Sequence, residues 1–94
     1  MGPVKPVIVI SHRDNVATAL EGLDAGRRLD VAGGEFIVRE HIPPGHKVAL
    51  RPIAAGEAVI KYGSPIGTAT IAIDAGQHVH VHNVDGNRGR GDLR

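Results

Sequence analysis

The pattern apolar-x-x-Gly-x-x-apolar occurs four times in this sequence, and it limits the possible folds more than any other feature. The copies are Leu23…Gly26…Leu29, Ile42…Gly45…Val48, Ile53…Gly56…Val59 and Ile73…Gly76…Val79. Each anchors one apolar side chain, turns at a glycine free to take positive φ, and re-enters the core three residues later. The first residues of successive copies are 19, 11 and 20 positions apart, too uneven for a solenoid. A turn device reused at this density implies short strands in one glycine-rich β domain. The 94 residues leave no room for a second domain.

The segments between the turns mostly support that reading. Val7 to Ile10 is a run of β-formers. Leu29 and Val31 alternate with polar neighbours, and Phe36 and Val38 do so less cleanly. Lys47 to Leu50, Ala58 to Lys61, Ile66 to Ile73 and His78 to Val84 read as strands bounded by Pro and Gly turns. One segment reads differently. Val16, Ala17, Leu20 and Leu23 recur at helical spacing behind the cap-type residues Ser11 and Asp14. They predict one short helix of about ten residues at most. The expected fold class is therefore mainly β with one short helix. Residues 1–84 form the domain, and 85–94 (DGNRGRGDLR) are a polar tail, disordered or extended by itself.

Composition removes several functions. Only one Phe, one Tyr and no Trp are present, and the net charge is +1. The chain lacks both the stacking platforms and the basic footprint of a nucleic-acid binder. There is no cysteine, hence no disulfide, thiolate metal site or Cys nucleophile. No apolar run approaches the ~18 residues that cross a membrane. The first nine residues do not read as a secretory signal, so a cytoplasmic location is expected. No P-loop, Rossmann or metalloprotease helix motif occurs.

Histidine stands out, with six residues. In His78-Val79-His80-Val81-His82-Asn83, a continuous strand would put the three imidazoles on one face, ~7 Å apart. Val79 and Val81 would then face the core. Imidazoles at i and i+2 suit a shared metal ion, and near neutrality they also serve as acid, base or anion site. The alternative is a solvated edge-strand face. His12 opens the expected helix, whose free N–H groups would favour an anion such as a carboxylate. The alternative there is that Asp14 or Asn15 caps the helix and His12 is a turn residue. His46-Lys47 and Lys61-Tyr62 could hold a sugar-acid carboxylate or take the proton beside it. A domain this small rarely encloses the ~300 Å³ of a ligand pocket. A second chain is therefore expected to complete any active site.

These residues fall into motifs that resemble a known family, the SAF domain of the altronate/galactarate dehydratases. The matching stretches are His12-x-Asp14-Asn15-Val16-Ala17 and Ile42-Pro-x-Gly45-His46-Lys47-Val48-Ala49-Leu50. They continue with Ile53-x-x-Gly56-x-x-Val59-x-Lys61-Tyr62-Gly63-x-x-Ile66-Gly67 and Gly76-x-His78-Val79-His80-x-His82-Asn83. The resemblance implies the β-clip fold. It also implies a lyase that dehydrates a sugar acid such as altronate or galactarate, or splits sulfite from sulfolactate. A divalent metal, Fe(II) above all, would be shared with a large catalytic chain. Mapped onto the motifs, His12, His46, Lys47 and His80 are the expected catalytic residues. Asp14, Asn15, Lys61, Tyr62 and Asn83 are expected to bind substrate, and His78, His80 and His82 to hold the metal. The expected partners are the large subunit and a small sugar acid, with no nucleic acid and no membrane. Self-association through unpaired strand edges is a further expectation. The alternative function is a stand-alone SAF-type module that binds a sugar acid or carbohydrate without catalysis.

Overall fold

The computed structural model describes residues 6–9, 11–31 and 34–86. Their organisation follows from the four glycine turns. Gly26, Gly45, Gly56 and Gly76 all have positive φ, between 83° and 94°, a region that side chains disfavour. The turns work in pairs. Leu23 and Ile42 exchange backbone hydrogen bonds of 2.9 and 2.8 Å, and Ile53 and Ile73 exchange two of 2.8 Å. Each turn glycine also donates its N–H to a carbonyl across the fold: Val38 for Gly26, Ala19 for Gly45, Ala69 for Gly56 and Ala49 for Gly76.

The chain thus builds the same unit twice. Strands β1 (Val7–Ile8), β2 (Val16–Ala19), β3 (Arg28–Val31), β4 (Gly34–Ile37) and β5 (Lys47–Ala49) form the first unit. The second contains β5 again, then β6 (Ala58–Lys61), β7 (Ser64–Ala69), β8 (His78–Val79) and β9 (Val84–Gly86). Strand β5 closes one unit and opens the other. Each unit has its own apolar core, and the two cores use corresponding positions. Ala19, Leu23, Leu29, Val38, Ile42 and Val48 of the first answer to Ala49, Ile53, Val59, Ala69, Ile73 and Val79 of the second. Burying each of Leu23, Ile42, Ile53 and Ile73, all at most 1% exposed, contributes on the order of 2–3 kcal/mol.

All strand pairs are antiparallel. A four-stranded sheet runs β1-β2-β5-β8, a hairpin pairs β3 with β4, and a three-stranded sheet runs β6-β7-β9. Three small sheets joined by glycine turns agree with the β-clip expectation, and the molecule is mainly β. No helix in the described residues is long and apolar enough to cross a membrane.

The expected short helix is corrected. No helix occurs among the described residues, and Val16–Ala19 is strand β2 at the centre of the four-stranded sheet. The sheet is buried on both faces, with Val16 in the second core and Ala17 in the first. Consecutive positions are therefore apolar, and the period-two signature of a strand is lost. Leu20, expected on the apolar helix face, is 54% exposed. The expected strand His78 to Val84 is likewise two short strands separated by a turn at 81–83. Strand β9 takes in Asp85 and Gly86. The rest of the expected tail, with Ile10 of the first expected strand, lies outside the described residues.

Candidate metal centre

The turn at Gly45 delivers His46 and Lys47 to the start of β5, and the turn at Gly76 delivers His78 to β8 beside it. Val48 and His78 are register partners across the two strands. Because side chains alternate along a strand, His46 shares the face of Val48 and meets His78. His46 Nδ1 and His78 Nε2 are 2.8 Å apart, a distance that requires one nitrogen to donate a proton and the other to accept it. The His80 ring stacks on His46, with centroids 4.0 Å apart and planes 19° from parallel. His46, His78 and His80 each offer a ligand nitrogen, and these lie within 4.8 Å of one another. Three imidazole donors suit iron or zinc, so the donor set fits the implied metal.

His82, expected in the ligand row, lies outside this group. The chain leaves strand geometry at His80, and the turn that follows swings His82 outward. Its ring lies 5.2 Å from that of His78, tilted by 39°. The same turn carries Val81 into solvent, at 82% exposure, where a continuous strand would have buried it. His46, expected as a catalytic group, is the third imidazole of the group.

The surroundings favour the uncharged form of His78 and His80. Burial, followed by the neighbouring His46, His82 and His80, pushes the His78 imidazole below its ordinary value, and Glu40 opposes this. Burial, then His46, Lys47 and His82, lower His80 in the same direction. Burial and the Lys61 ammonium lower Lys47. No ion pair of Lys47 or Lys61 occurs among the described residues. Lys47 and His80 also border a groove of about 210 Å³ walled by Val59, Ile66, Val79 and Val84.

The remaining expected residues gather elsewhere. Asp14 accepts from Gly63 N–H at 2.8 Å and from Ser11 N–H at 3.2 Å. The loop before β2 is thereby tied to the β6–β7 hairpin, whose tip is Tyr62 and Gly63. Both tip residues have positive φ, as a tight two-residue hairpin requires. Asn15 donates to Ala58 C=O at 2.9 Å and accepts from Ile60 N–H at 2.7 Å, replacing a strand along the edge of β6. Lys61 Nζ lies 4.8 Å from the centre of the exposed Tyr62 ring. His12 is exposed and outside the imidazole group, and the helix terminus that made it an anion site does not form. Asn83 donates to His78 C=O at 2.8 Å and accepts from His80 N–H at 3.0 Å, fixing the turn that aims His80. The side chains of Asp14, Asn15 and Asn83 are thus bonded to the backbone. Residue types fitted to binding substrate are the same ones fitted to bracing loops, and the sequence alone does not separate the two uses. Glu40 was not singled out from the sequence, yet its carboxylate accepts the His78 N–H at 3.0 Å. No local signal marks it, because the contact spans 38 residues.

The family model for the altronate/galactarate dehydratase SAF domain matches residues 5–87. The chain is 42% identical over 84 residues to altronate dehydratase of Bacillus subtilis (strain 168) and 48% identical over 80 residues to altronate dehydratase of Escherichia coli (strain K12). These alignments cover 89% and 85% of the chain but only 17% and 16% of the relatives, so the chain spans about a sixth of their length. It is also 43% identical over 75 residues to the (2R)-sulfolactate sulfo-lyase subunit alpha of Chromohalobacter salexigens, covering 73% of the chain and 80% of that subunit.

Proposed function

The chain belongs to the altronate/galactarate dehydratase SAF-domain family, and from that premise we propose that it is the small, non-autonomous part of a lyase. In this reading it supplies a half-site to a large catalytic chain that dehydrates a sugar acid or a related 2-hydroxy acid. The observation that carries the reading is the convergence of His46, His78 and His80 on one open edge of the sheet. The relatives add support. One is named a subunit of a lyase and is covered over most of its length, and two dehydratases are covered over a small fraction.

His46, His78 and His80 would hold a divalent metal, Fe(II) being the first candidate, shared with the large chain. Such a metal supplies Lewis-acid stabilisation of negative charge on a substrate oxygen. Lys47 and Lys61, without carboxylate partners among the described residues, would receive the substrate carboxylate. Dehydration breaks a C–H bond beside that carboxylate and the neighbouring C–O bond. A base takes the proton, and hydroxide leaves as water. Where His46 and His78 hold the metal without it, the His80 imidazole, at the mouth of the groove, would move one of these protons. Asp14, Asn15 and Asn83 act through the backbone they brace. The site operates in the cytoplasm in this reading.

Reconstitution tests the proposal. The purified chain should have no dehydratase or sulfo-lyase activity alone and should restore activity to a large chain that lacks its own SAF domain. In that assembly His80→Ala should lower turnover by about 10²-fold or more, as expected for loss of a proton-transfer group. Near-normal turnover would remove His80 from the mechanism. Saturable sugar-acid binding by the chain alone, with no activity in any mixture, would instead favour the binding-module reading.

A further inference from the structure

We propose that Glu40 is a positioning residue for the imidazole group, fixing the orientation of His78 and placing a negative charge beside the site. The argument begins with the position of His78 on β8, the outermost strand of the four-stranded sheet. Gln77 C=O accepts from Ala49 N–H at 3.0 Å on the β5 side. A peptide unit directs its N–H opposite to its C=O, so His78 N–H points away from the sheet. Among the described residues no strand lies there to receive it. The Glu40 carboxylate takes that place at 3.0 Å.

Glu40 is itself held in place. The adjacent Arg39 N–H donates to Gly76 C=O at 2.9 Å, and Gly76 packs directly on Ile37 C=O. The segment carrying Glu40 therefore moves with the turn that carries His78. With Asn83 binding the His78 carbonyl and the His80 amide, the backbone around the ligand nitrogens is pinned from both sides. Glu40 is not among the groups whose ligand atoms lie within 4.8 Å of one another, so it acts through His78. Its carboxylate also acts on His78 against three neighbouring imidazoles. A divalent cation bound there would gain from that charge.

This deepens the metal reading above, and the test separates the two. The probe is Zn(II) alone, titrated into the chain against a chromophoric chelator. The ring nitrogens of His46 and His78 are followed by NMR before any metal is added. Glu40→Ala should displace those ring signals and weaken Zn(II) binding by about 10-fold, the scale of one lost hydrogen bond to a charged group, while leaving Tm nearly unchanged. Glu40→Gln keeps the acceptor, so it should restore the ring signals and recover part of the affinity. Glu40→Asp keeps the charge but falls a methylene short of the amide, and it should displace the signals as Ala does. Wild-type ring signals and affinity in both Glu40→Ala and Glu40→Asp would overturn the proposal. A wild-type chain that binds no Zn(II) would count against the metal reading, and the ring signals would still decide the role of Glu40.

Discussion

Asn83, at 4% exposure, meets the His78 carbonyl with its amide nitrogen and the His80 amide with its carbonyl oxygen. Removing the side chain leaves both backbone groups short of a partner. Asn83→Ala should therefore cost about 2–3 kcal/mol, the penalty for two poorly satisfied buried groups, as read by urea unfolding. Asn83→Asp keeps the acceptor for His80 N–H and should fall between Ala and wild type. The proposed ligand set makes a separate prediction at this scale. His46→Ala should weaken Zn(II) binding by about 100-fold or more, beyond the usual loss of an outer partner, whereas His82→Ala should leave it nearly unchanged. Equal losses would restore His82 to the ligand set and return His46 to another role.

At the scale of the element, the turn that presents His78 depends on one glycine. Gly76 has a φ of +88°, and a Cβ there would overlap the Ile37 carbonyl oxygen. Gly26, Gly45 and Gly56 have similar φ values but open space where a Cβ would stand. Gly76→Ala should thus combine backbone strain with a backbone clash and destabilise by on the order of 3 kcal/mol. Gly56→Ala carries the strain alone, about 1–2 kcal/mol. Thermal unfolding of the two variants measures the difference. Equal losses would mean that the packing of β4 against the Gly76 turn contributes nothing.

For the whole molecule, the imidazole group makes stability depend on pH. His78 and His80 are held below the ordinary imidazole value in the folded chain. In the unfolded chain they titrate near ~6.5. Between those two values the unfolded state binds more protons, so stability rises with pH there. It should be fully present above ~6.5 and fall as the pH drops through that value toward the folded pKa. His78→Ala and His80→Ala should flatten this acid limb in urea unfolding at several pH values. An unchanged limb would place its origin in other groups.

The sequence by itself determined the turns, the β class and the composition of the core. The recurrence of an apolar residue three positions either side of a glycine is a local property, and each copy folds into the same turn wherever it sits. It also marked the histidines as unusual, because alternation along a strand is visible in one dimension. Tertiary structure decided which copies pair, and so that the chain is one unit built twice around β5. It decided that Val16–Ala19 is a strand, since burial on two faces erases the periodicity that distinguishes strand from helix. It also gathered His46, rather than His82, with His78 and His80. The turn braced by Asn83 ends the row after His80, and the pairing of β5 with β8 brings in an imidazole from 32 residues away. Contacts across such separations come from strand register and loop bracing, which no local pattern encodes.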